Sequence, residues 1–141
     1  MTFKKITDSE QENIHDRSCV ILVNFNNKEL TAIKTVSGFV GIKDRIVVNS
    51  KNGNTKIKDI LDGNISDDND EAWSEKAVIF NNIPNNRVIA FLDSLKKMKI
   101  KRPLTAMVTE VSIDWELNTL VYNLKEERKA LSKGQFVNHN K

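Results

Sequence analysis

The chain has 141 residues, 39% hydrophobic and 29% charged, with a formal net charge of +3. That length suits one domain with a sizeable core. The charge is too small to demand nucleic acid or an anionic membrane, and no run approaches the ~18 apolar residues of a membrane span. The single cysteine, Cys19, admits no internal disulfide and fits a reducing cytoplasm. Residues Met1 to Asp8 lack the apolar core of a secretion signal.

Residues 1–18 read as a flexible polar leader and 133–141 as a frayed tail, around one α/β domain over 19–132. Cys19 to Val23 is the first expected strand, and Asn24 to Asn27 a turn that can cap a helix. Leu30, Ile33, Val36 and Val40 recur at helical spacing over Lys28 to Phe39. Arg45 to Asn49 is the second strand. A loop follows, then a short helix over Lys56 to Leu61 with Thr55 as its cap. The polar run Ser66 to Glu71 is expected to be mobile.

Lys76 to Phe80 is the third strand, and Pro84 opens a helix whose stripe is Val88, Phe91, Leu92, Leu95 and Met98. Pro103 begins the fourth strand, Leu104 to Val108. Ser112 is expected to cap a last helix lined by Ile113, Leu117, Leu120, Val121, Leu124 and Leu131.

Laying Val20 on Val78 aligns the two halves without a gap. Asn24 meets Asn82, Leu30 meets Val88, Ile33 meets Phe91, and Ile46 meets Leu104. Two βαβ units are therefore expected. The strands are continuous apolar runs rather than alternating ones, which indicates burial on both faces. The expected architecture is a three-layer α/β sandwich with a four-stranded, mostly parallel sheet of order 2-1-3-4. All four strands would run one way, with the first and last helices on one face. A ferredoxin-like α+β sandwich is the alternative.

In such a sheet the strand carboxyl ends are the natural ligand site. They would gather Asn24, Asn26, Asn27, Asn49, Asn82, Thr109, Glu110 and Ser112. Helix N-termini there would favour an anion, although asparagine and serine also serve simply as caps and turns. The basic residues Lys43, Arg45, Lys97, Lys99, Lys101, Arg102 and Arg128 would collect at the opposite edge. They suit an acidic partner or nucleic acid, or merely complement helix C-termini.

No phosphate-binding glycine loop is present. His15 and His139 have no plausible metal partner, and Cys19 reads as a small core residue. Asp67 to Glu71 lacks the turn glycine and final glutamate of a calcium loop. No catalytic set, metal or cofactor is expected.

The segments Val23-Asn24-Phe25, Lys56 to Leu61, Phe80-Asn81-Asn82 and Ile100 to Pro103 carry a resemblance, with Ser112 to Trp115 and Glu126 to Arg128. Over Val20 to Arg128 the chain resembles a family of small proteins from clostridia and relatives, catalogued as a domain of unknown function. The resemblance implies a cytoplasmic bacterial protein and no established activity. The expected function is a non-enzymatic module that binds a small anionic ligand or a protein. The alternatives are a small enzyme acting on an anionic metabolite, and a nucleic-acid accessory protein; a membrane partner is not expected.

Overall fold

In the computed structural model, which describes residues 15–132, Cys19–Val23 forms a strand (β1) with no side chain more than 1% exposed. Five successive buried residues leave no solvent face, so both sides of this strand must be covered. The chain continues through α1 (Asn27–Phe39), β2 (Arg45–Val48), one 3-10 turn (Ser50–Asn52) and the short α2 (Ile57–Leu61). Then come β3 (Ala77–Asn81), α3 (Asn85–Lys97), β4 (Leu104–Met107), a second 3-10 turn (Ser112–Asp114) and α4 (Leu117–Ser132). Most of the expected leader, the expected tail and His139 lie outside the described residues.

The strands form one sheet in the expected order, β2-β1-β3-β4. β1 pairs with β2 in parallel, and so does β3 with β4. The central pair is antiparallel: Cys19 faces Asn81, Ile21 faces Ile79, and Val23 faces Ala77. The sheet is mostly parallel but mixed, which corrects the expectation of a single strand direction.

The cause lies in the connection from β2 to β3. α2 carries the chain across to the edge where β1 begins. There Asp62 meets His15 at 2.8 Å, and the Leu61 carbonyl accepts from Arg17 Nη1 at 2.8 Å. Residues 64–76 then return in a second pass, and that pass reverses β3. This return stretch is strapped down, contrary to the expected mobility. Ser66 N donates to Thr55 Oγ1 at 3.0 Å, Asn69 N to Lys51 O at 3.1 Å, and Asn69 Nδ2 to Ser50 O at 2.8 Å. Thr55 therefore secures the strap, and α2 has no side-chain cap. Gly53 lets the strap come close: a Cβ there would lie 2.0 Å from Asn118 Oδ1, which also accepts from Trp73 Nε1.

Strand direction also decides which helices share a face. Val20, Leu22, Val78 and Phe80 pack under α1 (Ile33, Val36) and α3 (Val88, Phe91, Leu95). Cys19, Ile21, Val23 and Ile79 pack under α2 and α4. The two βαβ units run in opposite directions about the Ile21–Ile79 pair, and right-handed crossovers so arranged lie on one side. The expected pairing of the first helix with the last is thereby corrected. Helices cover both faces, so the ferredoxin-like alternative does not hold.

The two units match in detail through α3. β1 and β3 begin 58 residues apart (19 and 77), as do α1 and α3 (27 and 85). Left-handed backbone recurs at Asn24 and Asn82 (φ 65° and 56°) and at Gly41 and Lys99 (φ 83° and 63°). The gapless alignment then fails. Leu22 pairs with Val47 but Phe80 with Met107, so the second unit holds two extra residues before its outer strand.

The last helix is shorter than its periodicity implied. Ser112 sits in the 3-10 turn, and residues 115–116 lie extended, with the Trp115 carbonyl accepting from Ile57 N at 2.9 Å. α4 starts only at Leu117, and Leu131 is exposed.

Two ion pairs anchor the lead-ins to the strands, one joining those of β1 and β2 and the other tying that of β3 to α1. Arg17 Nε donates to Asp44 Oδ2 at 2.7 Å, and Lys76 Nζ to Glu29 Oε2 at 2.6 Å. The Arg17 hydrogen bond holds the Asp44 carboxyl below its ordinary value against some burial. Burial works against the Glu29 charge, but Lys76 and the Asn26 N–H outweigh it, so Glu29 is also lowered. A carboxyl lowered in the folded state stabilises fully above its unfolded value and loses that contribution as pH falls through the folded one. Stability measured in denaturant is therefore expected to fall below about pH 4. Asp44→Asn is expected to be less stable at pH 6 and to show a flatter acid limb.

Candidate functional site

Because β1 and β3 oppose each other, each edge of the sheet receives part of both expected residue sets. Asn24, Asn26, Asn27 and Asn49 leave β1 and β2 at one edge. At that same edge lie Lys97, Lys99, Lys101 and Arg102, which lead into β4, and Arg128, whose guanidinium donates to the Pro103 carbonyl at 2.9 Å. Asn82, Thr109, Glu110 and Ser112 follow β3 and β4 at the other edge, with Lys43 and Arg45 entering β2. The single polar rim and the single basic rim do not form.

Most of the polar candidates are engaged within the fold. Asn24 Nδ2 donates to the carbonyls of Trp73 (3.1 Å) and Glu75 (2.9 Å), and its Oδ1 accepts from Ser50 N (3.1 Å). Asn82 Nδ2 donates to the carbonyls of His15 and Arg17, the same pattern 58 residues on. Each left-handed asparagine thus clamps the segment that leads into the opposing central strand. Asn26 caps α1 in a reciprocal box with Glu29, and Asn49 caps the first 3-10 turn with Asn52. Ser112 Oγ accepts from Thr109 N at 3.0 Å inside a turn. Asn27 opens α1, and Glu110 is exposed.

The basic residues are placed differently. A cavity of about 530 Å³ lies between the C-terminal half of α3 and the lead-in to β4. Lys96, Lys99, Lys101 and Arg102 line it, with Asp93, over an apolar floor of Leu92, Leu95, Ile100 and Pro103. A second cavity of about 350 Å³ shares Lys101, Arg102 and Pro103 and extends to Glu29, Glu75, Lys76, Lys125 and Arg128. Glu75 pairs with Lys125 at 3.3 Å, as Glu29 does with Lys76. Sequence reasoning missed both glutamates, because partners 47 and 50 residues away (29 and 76, 75 and 125) meet only through the fold.

In the first unit the Arg17–Asp44 pair ties the lead-in to β2 to the lead-in to β1. The two extra residues of the second unit precede β4, beside the groove. Cys19 is buried, and burial pushes its thiol up to about 11, which suits a packing role. Among the described residues no group of three His, Cys, Asp or Glu is placed to hold a metal ion. No described helix is long and apolar enough to cross a membrane.

A family model described as Domain of unknown function (DUF3783) matches residues 76–131. That span holds β3, α3, β4 and nearly all of α4, and therefore most of the residues lining the groove. Comparison with curated proteins and with solved structures gave no match.

Proposed function

We propose that the protein is a non-enzymatic binding module for an anionic partner seated in the groove between α3 and β4. One observation carries this reading. Lys96, Lys99, Lys101 and Arg102 line a cavity of about 530 Å³, and none of them forms an ion pair among the described residues. Like charges gathered around a concave surface raise the local potential and favour a bound anion. The apolar floor adds a place for the uncharged part of the ligand.

Lys99 supports the same reading. Its φ of 63° falls where the first unit uses Gly41. A lysine in left-handed backbone costs about 1–2 kcal/mol relative to glycine. The groove keeps the cation despite that cost. Lys99→Gly is therefore expected to stabilise the fold by about 1 kcal/mol while weakening the groove for anions. Denaturation gives the first quantity, and the thermal shift caused by tripolyphosphate at low salt gives the second. A Lys99→Gly protein that responds to tripolyphosphate as the wild type does would contradict the assignment.

An enzyme at the strand ends has less support, because the polar atoms of Asn24 are already engaged. A reducing, cytoplasmic setting is consistent with the lone buried thiol.

A further inference from the structure

The two cavities share Lys101, Arg102 and Pro103, so the groove has two parts that border the same β4 lead-in. Its character changes along its length. The first part has an apolar floor under cations; the second places two carboxylates, Glu29 and Glu75, beside Lys76 and Lys125. No aromatic side chain lines either cavity to stack a base, and the apolar floor offers a phosphate backbone nothing to bury. A peptide suits both parts. Its acidic side chains match the cations that form no ion pair among the described residues, and its apolar side chains match Leu92, Ile100 and Pro103.

We propose that the groove receives an extended acidic segment of a partner protein, with acidic and apolar residues alternating, laid across Lys101 to Pro103. This rests on the anion-binding reading of the groove and specifies its occupant. Alternation follows from extended backbone, in which successive side chains point to opposite sides. One side then meets the cations and the other the floor.

The test is fluorescence anisotropy at low salt with the full chain. The probes are a labelled peptide of alternating glutamate and leucine, about ten residues long, the same length with serine for leucine, and an oligothymidine. Unlabelled tripolyphosphate serves as competitor. The glutamate–leucine peptide is expected to bind, to weaken on the order of tenfold in Lys101→Glu with Arg102→Glu, and to weaken as salt rises. The serine peptide is expected to bind less tightly. Because that comparison and the salt series use the wild type, they decide the matter even if the double variant folds poorly. Peptide binding unaffected by both the double substitution and salt would overturn the proposal. So would equal binding of the two peptides. Oligothymidine or tripolyphosphate binding that depends on Lys101 and Arg102, without peptide binding, would overturn the peptide and leave the anion groove standing. Binding of no probe would remove both.

Discussion

Asn24→Ala is expected to destabilise the fold by about 3–4 kcal/mol, from three hydrogen bonds at about 1 kcal/mol each and a left-handed backbone position. Both N–H donors of the Asn24 amide are used, on the carbonyls of Trp73 and Glu75, and its oxygen accepts from Ser50 N. Alanine removes all three bonds and leaves their partners without a replacement. Asn24→Gly removes the same bonds but suits a φ of 65°. It is therefore expected to recover about 1 kcal/mol of the loss. Asn82→Ala and Asn82→Gly should order themselves the same way, since Asn82 grips the His15 and Arg17 carbonyls. Denaturant unfolding of the four variants measures this directly. Equal stability of the alanine and glycine variants would show that backbone conformation contributes nothing at these turns.

The second large effect belongs to the face under α1 and α3. Phe91 is fully buried, and its ring meets that of Phe80 edge-on, with centroids 5.5 Å apart and planes at 89°. Phe91→Ala is expected to cost about 3–5 kcal/mol, from lost transfer energy and the cavity left behind. A double-mutant cycle with Phe80→Leu should return about 0.5–1.5 kcal/mol of coupling for the aromatic pair. Met98 belongs to the same stripe by spacing but is 41% exposed just past the end of α3. Met98→Ala should therefore cost less than about 0.5 kcal/mol. A comparable loss at the two positions would mean that α3 packs in a different rotation.

Much of this fold is legible in the chain, because burial leaves a plain mark on residue type. Val20 to Val23 and Val78 to Phe80 are apolar without interruption because helices cover both faces of β1 and β3. Ile33 and Phe91 recur on helical stripes for the same reason. Direction leaves no such mark. A strand buried on both faces has the same composition whether its neighbour runs with it or against it. What reverses β3 is the return of residues 64–76, and that stretch is polar enough to resemble a free loop. Its order comes from Asn69, Ser66 and Trp73 meeting Ser50, Thr55 and Asn118 across the fold. The same reversal explains why the site was only partly legible. The cations around Lys99 and Arg102 are adjacent in sequence, so they remain together in any topology. Grouping Asn82 with Asn24, Asn26, Asn27 and Asn49 depends on strand direction, and Asn82 moves to the other edge once that direction changes.

The placement of both edges depends on β1 and β3 opposing each other about Ile21 and Ile79. Proton–proton contacts in a uniformly labelled sample test this directly, since alternate pairs of an antiparallel ladder bring opposed Cα atoms within about 4.5 Å. The structure requires such contacts from one alternating set, either Cys19 with Asn81 and Val23 with Ala77, or Val20 with Phe80 and Leu22 with Val78. Contacts that instead join Cys19 to Ala77 and Val23 to Asn81 would mean a parallel centre, and Glu29 would then leave the edge that holds Lys101 and Arg102.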